Sequence, residues 1–311
     1  MHRLEGIKGI GPAIADKLIE MGITSAEALA VTSPKYISEE VGISKKKAIE
    51  ISKNARELLK ISFMTGEEYL KKRRAIGKIT TGCRALDEML GGGIETLAIT
   101  ELTGEYGVGK TQIAHQLSVT VQLSREEGGL EGGALYIDTE GTFRPERILQ
   151  ISQRFNVSND VLKNIIFARA YNSDHQMLLI DEAPKIIEEH NIRLIVIDSI
   201  IGHFRGEYPG REALPTRQQK LNKHIRQLLA LTEAYNLAVI VTNQVISDPA
   251  TFFGNPNKPS GGNVLAHGST YRIWLRKAKG GKRAAKIFDS PLHPSIECIF
   301  KITENGVEDI N

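Results

Sequence analysis

The stretch Gly104-Glu105-Tyr106-Gly107-Val108-Gly109-Lys110-Thr111 has the spacing G-x-x-x-x-G-K-T, which is typical of a loop that binds nucleotide phosphates. Residues 97–102 before it predict a buried strand, and residues 112–124 after it carry apolar positions at helical spacing. In that context the backbone N–H groups turn toward phosphate oxygens, and the helix N-terminus adds a favourable dipole. Lys110 would reach the β- and γ-phosphates, and the Thr111 hydroxyl would hold Mg²⁺. A chance glycine-rich turn is the alternative, but the full consensus in this context favours a nucleoside triphosphate site.

The composition bounds the class of protein. The chain has 311 residues, a length typical of roughly two domains. Its net charge is only +3, so any anionic partner must be argued from local clusters. Cys83 and Cys298 have neither disulfide nor metal spacing, which fits a reducing compartment. The chain has no apolar run of about 18 residues and no secretion-signal pattern at its start, so we expect a cytoplasmic protein without a membrane partner.

Residues 1–59 predict a small, lysine-rich helical domain. A Gly-x-Gly turn at Gly9 and Gly11 leads into a helix over 13–21, and residues 41–44 weakly repeat that turn before a helix over 45–59. Backbone N–H groups exposed beside a helix N-terminus bind phosphate. With Lys8 and Lys17 nearby, this pattern resembles the helix-hairpin-helix, which binds the DNA backbone without regard to sequence. A helical protein-interaction module is the alternative.

Residues 60–77 are interpreted as a linker. Its notable residue is Phe63, because an aromatic side chain on a polar connector contributes little to stability unless it is buried. Phe63 either packs on its own core or anchors in a pocket of the next subunit, and the residues alone leave both options open.

Residues 78–311 alternate between apolar strands and helical stretches. Strand candidates are 134–137, 165–168, 194–197 and 238–241, followed by shorter ones at 271–275, 284–288 and 297–302. We predict an α/β core whose mostly parallel sheet is covered on both faces and carries an antiparallel edge at its C-terminal end.

Three strand ends carry candidate catalytic groups. Asp198 ends an apolar strand, which is the usual position of the acid that holds Mg²⁺ beside a phosphate loop. Glu140 follows a second strand and could orient the attacking water, although a helix-capping acid is the alternative. Gln244 ends a third strand and is suited to sensing the γ-phosphate, unless it is an ordinary polar strand end.

Two segments after these strand ends are candidate DNA-binding loops. Residues 203–217 carry Arg205, Arg211 and Arg217 with Phe204 and Tyr208 between them, a pattern suited to phosphates and bases. Residues 245–267 form a long Pro-, Gly- and Asn-rich stretch that nucleotide state could order. A solvated basic loop would also explain the arginines. A third basic run, 277–283, fits a hairpin tip, and a solvated turn explains it somewhat better than a nucleic-acid contact.

Taken together, these segments resemble the archaeal RadA branch of the RecA/RadA family of strand-exchange ATPases. The matching stretches are LGGGIE (90–95), the phosphate loop, YIDTEGTFRPER (136–147), ARAYNSDHQ (168–176), RQQKL (217–221), VTNQV (241–245), FFG (252–254) and DSP (289–291). The resemblance covers nearly the whole chain. It implies a RecA-like ATPase core that follows a helix-hairpin-helix domain, and a helical filament on single-stranded DNA that pairs with a homologous duplex.

The resemblance also implies site residues and partners. ATP would bind at each subunit interface on residues 104–112, with Lys110, Glu140 and Gln244 as the catalytic set and Thr111 and Asp198 as Mg²⁺ ligands. Arg147 would stack on the adenine, while His267 and Asp289 would lie near the neighbouring subunit's nucleotide, where the archaeal family also uses potassium at the Asp289 segment. Arg205, Arg211 and Arg217 would bind DNA, and Phe63 with Gly66 would form the oligomerisation motif. Rings beside filaments, recombination mediators and association with the nucleoid are further expectations of the resemblance.

Three departures from the family pattern affect the predicted interface and the first DNA loop. Gly66 replaces the usual alanine, from which we expect subunit contacts weaker by about 1 kcal/mol. Pro215 and Gly202 alter the first DNA loop or its approach. Two other functions stay open: a ring-shaped motor of the same fold, and a mediator that binds ATP and DNA without exchanging strands.

Overall fold

A nine-stranded sheet forms the centre of the computed structural model, which describes residues 4–59, 61, 63–155, 157, 160–247 and 257–310. The strands of the described residues are β1 (Lys78–Ile79), β2 (Ile94–Glu95), β3 (Ala98–Gly104), β4 (Gly133–Asp138), β5 (Ile165–Arg169), β6 (Ile192–Asp198), β7 (Ala238–Asn243), β8 (Val245–Ser247), β9 (Asn257–Pro259), β10 (Tyr271–Lys277), β11 (Arg283–Asp289), β12 (Glu297–Thr303) and β13 (Gly306–Asp309). The order across the large sheet is β13-β12-β11-β10-β3-β7-β6-β4-β5. The six neighbouring strands β10, β3, β7, β6, β4 and β5 run parallel to one another, and β11, β12 and β13 add antiparallel partners beside β10. The predicted mostly parallel sheet with an antiparallel C-terminal edge is therefore confirmed.

Two hydrophobic clusters cover the two faces of this sheet. Successive strand residues alternate between them, as the period of two in a strand requires: Tyr136 and Val196 belong to one cluster, and Ile137 and Ile197 to the other. The helices of the core are α6 (Arg84–Met89), α7 (Lys110–Thr120), α8 (Pro145–Ser152), α9 (Ser173–Glu189), α10 (Gly202–Glu207), α11 (Leu214–Tyr235) and α12 (Gly262–Gly268), numbered after the N-terminal helices described next. Helices α6 to α8 pack on the first face, and α9 and α11 on the second.

Over residues 4–59 the N-terminal domain has four α-helices: α1 (Pro12–Glu20), α2 (Ala26–Val31), α3 (Pro34–Val41) and α4 (Lys45–Leu58). The sequence predicted α1 and α4 within one residue at each end and did not predict α2 or α3. Both missed helices are short, six and eight residues, which is about two turns and too little for a helical period to show.

This domain packs against α9 and α11 of the core, and one hydrophobic cluster runs through both. Thr24 donates a hydrogen bond to Glu188, and its hydroxyl lies 3.4 Å from the Tyr235 hydroxyl. A Cβ on Gly22 would lie 3.1 Å from Cγ of Pro184. A cavity of about 860 Å³ with largely apolar walls remains between the domains, away from the phosphate loop.

The linker contains a helix that the sequence did not predict, α5 (Gly66–Arg74). Thr65 and Glu68 form a capping box at its start, which explains how so polar a segment becomes helical. Its side chains are mostly exposed, and Arg73 ties its end to buried Glu95 at 2.8 Å.

Two predicted loops contain regular structure. Residues 203–217 include most of α10 and the first turn of α11, and residues 245–267 include the ribbon β8–β9 and most of α12. No helix in the described residues is long and apolar enough to cross a membrane.

Candidate nucleotide-binding site

The phosphate loop connects β3 to α7 and depends on glycines at two close approaches. A Cβ on Gly104 would lie 2.3 Å from the carbonyl oxygen of Leu275 on β10, so no side chain fits there. Gly109 has φ +108°, and a Cβ on it would lie 2.5 Å from Cδ1 of Ile302. The loop then enters α7 at Lys110, which points the N-terminal N–H groups of α7 into the cavity described below.

Lys110 is folded over its own loop. Its Nζ donates to the carbonyl oxygens of Gly104 and Glu105, each at 2.8 Å. Burial lowers the pKa of Lys110, and the negative charges of Asp198 and Glu140 oppose that shift. The Lys110 ammonium therefore lies close enough to the Asp198 and Glu140 carboxylates to interact with their charge.

Asp198 is buried at the end of β6 and accepts hydrogen bonds from four hydroxyls. The hydroxyls of Thr111, Tyr136 and Thr142 donate to one oxygen at 2.7, 2.9 and 3.5 Å, and Thr242 donates to the other oxygen. A hydroxyl and a carboxylate at this distance, beside a phosphate cradle, suit Mg²⁺, which takes few protein ligands together with phosphate oxygens and waters. Thr111 and Asp198, the predicted pair, are thus brought together.

Glu140 stands at the mouth of the site, and two side chains hold it. Ser199 Oγ donates to Glu140 Oε1 at 2.8 Å, and Gln244 Nε2 donates to the same oxygen at 2.6 Å. Sequence reasoning paired Glu140 with Gln244 only through the resemblance and missed Ser199, although Ser199 directly follows Asp198.

Asp138, the other carboxylate on this strand, shapes the turn that presents Glu140. It accepts from the backbone N–H groups of Glu140, Gly141 and Phe143 at 2.7 to 3.1 Å and pairs with Arg169 at 3.0 Å. Both Asp138 oxygens are therefore occupied by contacts that hold the turn, and Glu140 is the carboxylate of this segment that can act on a bound nucleotide.

These groups line one cavity of about 810 Å³, a size that suits a nucleotide. Its lining comprises Gly104, Glu105, Tyr106, Gly107, Gly109, Lys110, Thr111, Gln112, Glu140, Thr142, Arg144, Asp198, Thr242, Gln244, Val245, Arg283 and Ile302. Arg283 was predicted only as part of a solvated hairpin tip. The register of β10 with β3 brings that hairpin beside the phosphate loop, a contact that sequence spacing does not show.

Four residues predicted to touch nucleotide lie outside this lining, and one of them, Val108 of the phosphate loop, is buried in the hydrophobic core. Arg147 is clamped behind it, since its guanidinium donates to Gln112 and to the carbonyls of Thr303 and Glu304. Exposed His267 lies on α12, and Asp289 ends β11, where its carboxylate is 3.8 Å from Arg272. Their nucleotide contacts, which the resemblance places across a subunit interface for His267 and Asp289, stay predictions.

The three predicted DNA-binding arginines occupy different elements. Arg205 lies on α10 and donates to Ser260 Oγ at 3.2 Å, Arg211 lies on an exposed turn, and Arg217 in α11 donates to the Tyr208 carbonyl at 3.1 Å. Phe204 is fully buried beside His224, so its ring does not lie at the surface with the arginines. The helical turn of α10 points Phe204 inward while its neighbour Arg205 points outward.

The second predicted DNA loop is a ribbon whose ends are held together by β8 and β9. Residues 248–256, including the FFG motif, lie outside the described residues. Pro215 occupies the first turn of α11, where proline is well tolerated because its missing N–H has no helical partner.

The N-terminal hairpin presents its glycines at the surface. Gly9 has φ +94°, which favours glycine, and Gly11 precedes α1. Lys17 donates to the Val41 carbonyl at 2.9 Å and so connects the hairpin helix to the second Gly turn. DNA contacts by these residues stay predictions.

Phe63 is fully exposed in the linker, with a relative accessibility of 106%, and Ile61 and Met64 beside it are exposed as well. The alternative that Phe63 packs on its own core is therefore excluded. A Cβ on Gly66 would meet no atom within 4 Å.

Two family models match this chain. The model described as Rad51 matches residues 72–310, which is more than half of the chain. The model described as a SAM-like helix-hairpin-helix tandem matches residues 1–57. The two matches follow each other along the chain, with the linker helix α5 at their junction.

Proposed function

This chain belongs to the Rad51 family, and we propose that it is a DNA-dependent ATPase that forms helical filaments on single-stranded DNA and catalyses homologous pairing and strand exchange, as archaeal RadA recombinases do. The observation that carries the proposal is the single cavity in which Lys110, Thr111, Asp198, Glu140 and Gln244 converge. The sequence placed these residues on four separate segments.

For ATP hydrolysis, the chain supplies binding, charge and orientation. Residues 104–112 would cradle the triphosphate, and Thr111 with Asp198 would hold Mg²⁺, which neutralises charge on the phosphate oxygens when bound. Glu140 would orient the attacking water, since it lines the cavity and Ser199 and Gln244 fix its Oε1. Gln244 belongs to the segment that leads into the β8–β9 ribbon, so a change at the γ-phosphate would reach the second DNA loop.

For DNA, the proposed contacts are Arg205, Arg211 and Arg217 on the core and the Gly9–Gly11 hairpin with Lys17 on the N-terminal domain. Arginines and backbone N–H groups contact phosphates without reading sequence, which suits a protein that must accept any homologous strand.

For assembly, the proposal uses two features at different places on the same chain. Exposed Phe63 would enter a neighbouring subunit, and β5 is the last strand of the sheet in the described residues, with Phe167 half-exposed on it. An open strand edge can pair with another chain. Because donor and acceptor surfaces differ, the contact is head-to-tail, which gives rings or filaments. In such an assembly His267 and Asp289 would complete the neighbour's ATP site, with potassium at Asp289.

A strand-exchange assay on circular single-stranded and linear duplex DNA, with Mg²⁺, ATP and K⁺, tests the proposal. The wild-type chain should form joint molecules, Lys110→Ala should form none, and Lys185→Ala, an exposed lysine on α9, should behave as wild type. ATP hydrolysis without joint molecules would support a motor, and neither activity would support a mediator. Either result would overturn the proposal.

A further inference from the structure

A buried carboxylate, Glu101, lies in the middle of β3 and has no part in the catalytic set. It is 0% exposed, Arg272 Nε donates to its Oε2 at 2.6 Å, and Asn243 Nδ2 donates to its Oε1 at 2.7 Å. A buried charge is retained only when both its oxygens are compensated, as they are here. Arg272 also approaches Asp289, at 3.8 Å.

Asn243 connects Glu101 by hydrogen bonds to the base of the second predicted DNA loop. Its Nδ2 also donates to the carbonyl oxygen of Ser260 at 2.8 Å, and the backbone N–H of Ser260 donates to the carbonyl of Gln244 at 2.9 Å. Ser260 follows β9 directly, just before α12. The amide of Asn243 therefore fixes the point where the ribbon returns to the core.

Ser260 in turn is hydrogen-bonded to Arg205 of the first predicted DNA loop. The residue is 1% exposed, and its hydroxyl accepts a hydrogen bond from Arg205 Nη1 at 3.2 Å. Four side chains, Arg272, Glu101, Asn243 and Arg205, are thus joined with Ser260 in one continuous polar path from β10, inside the sheet, to helix α10.

The negative charge of Glu101 determines which way the Asn243 amide points. Asn243 Oδ1 is buried and has no hydrogen-bond partner among the described residues, so the amide is oriented only by the two acceptors that Nδ2 reaches. A flipped amide would set Oδ1 against the Glu101 carboxylate and the Ser260 carbonyl. A neutral glutamine at position 101 could donate to Oδ1, which removes one of the two repulsions that oppose the flip and leaves only the Ser260 carbonyl to orient the amide.

We propose that Glu101 is a positioning residue for DNA binding: through Asn243 and Ser260 it holds Arg205 and the base of the second loop in the arrangement that contacts phosphate. The inference rests on the proposed function only in taking Arg205 as a DNA contact.

The test is Glu101→Gln in the full-length chain, with a short single-stranded oligonucleotide titrated at several salt concentrations. We expect affinity to fall about five- to tenfold, and the slope of log affinity against log salt to become shallower by about one phosphate contact. Affinity for MgATP should stay within about twofold, because Glu101 does not line the nucleotide cavity.

Glu95→Gln is the matched control. Glu95 is also buried and also carries an arginine partner, Arg73, together with the Tyr271 hydroxyl at 2.6 Å, but none of its hydrogen bonds in the described residues leads to the loops. It should lose stability as Glu101→Gln does and keep the wild-type salt slope. Equal slopes for the two variants would show that Glu101 is merely structural and would overturn the inference.

A double-mutant comparison separates this inference from the proposed function. Arg205→Gln with Glu101→Gln should bind DNA as weakly as Arg205→Gln alone, because Glu101 acts through Arg205. Independent, multiplying losses would contradict the path. An Arg205→Gln variant with a wild-type slope would refute the loop assignment of the proposed function and, with it, this inference. A defective Arg205→Gln beside a normal Glu101→Gln would refute the inference alone.

Ser260→Ala provides a second route if Glu101→Gln folds poorly. It removes only the hydroxyl that receives Arg205 and leaves the Glu101–Asn243 pair intact. It should reproduce the shallower salt slope at unchanged melting temperature, and a wild-type slope would overturn the proposal.

Discussion

At the residue scale, Asp138 and Asp198 end neighbouring strands and have different uses because of what donates to them. Asp138 accepts mainly backbone N–H groups, which cannot turn away. Asp198 accepts from four hydroxyls, which can rotate when a cation arrives. The type of donor therefore distinguishes a structural carboxylate from one that can bind Mg²⁺, although both look alike in the sequence.

Ser199→Ala should lower kcat for ATP hydrolysis about fivefold to tenfold while KM for ATP changes less than about twofold. The reason is that Ser199 orients Glu140 and does not line the cavity. Steady-state kinetics would measure this, with Ser118→Ala as control, because the Ser118 hydroxyl donates only to its own helix. A raised KM at constant kcat would contradict the positioning role.

His224→Gln should make the free energy of unfolding depend less on pH below about pH 6.5. His224 is fully buried in α11, and burial lowers its pKa to about 3, while the unfolded chain binds the proton near pH 6.5. The stability it contributes is thus present above pH 6.5 and is lost as pH falls toward 3, by about 1.4 kcal/mol per pH unit.

Urea unfolding between pH 6.5 and 4 would measure that slope. In His224→Gln this slope of unfolding free energy against pH should be smaller by about the contribution of one bound proton. Exposed His190→Gln should keep the wild-type slope. Some slope should remain in His224→Gln, because burial also lowers the pKa of His115 to about 4. An unchanged slope in His224→Gln would show that the ring is not held neutral.

At the scale of elements, long periodic strands and the phosphate loop could be predicted from the sequence, and contact-dependent helices could not. Strands β4, β6 and β7 are apolar at nearly every position because both faces are buried, and that pattern is visible in the residues. Helices α12 and α10 both contain two glycines and a histidine, and their packing on the core decides their structure. The position of Arg283 depended on the register between β10 and β3, which no local pattern carries.

Gly66→Ala should strengthen assembly about fivefold, near 1 kcal/mol. The methyl group meets no atom within 4 Å in the chain itself, so it costs no strain, and it reduces the freedom of the linker before α5. Concentration-dependent sedimentation would give the midpoint of assembly. A weaker midpoint would mean that the neighbouring subunit has no room for the methyl group.

At the scale of the whole molecule, the described residues expose surfaces that favour association, among them the linker around Phe63 and the outer edge of β5. An exposed aromatic side chain and an open strand edge both favour association, so each disfavours the isolated monomer. Their presence on one chain is what the proposed assembly uses.

Phe63→Glu should leave a folded protein that is mainly monomeric by light scattering. The charge removes the apolar contact that an incoming subunit would bury, worth several kcal/mol. Tyr69→Glu, another exposed aromatic six residues along on α5, should assemble normally. Oligomers unchanged by Phe63→Glu would assign assembly to another surface.

The shared core between the N-terminal domain and α11 has a consequence during synthesis. Helix α2 leaves the ribosome roughly 200 residues before the end of α11, which at about 5–20 residues per second is a delay of about 10–40 s. For that time Leu29 and its neighbours lack the surface that later covers them. Until the ribosome finishes the core, these apolar side chains stay open to association with other chains.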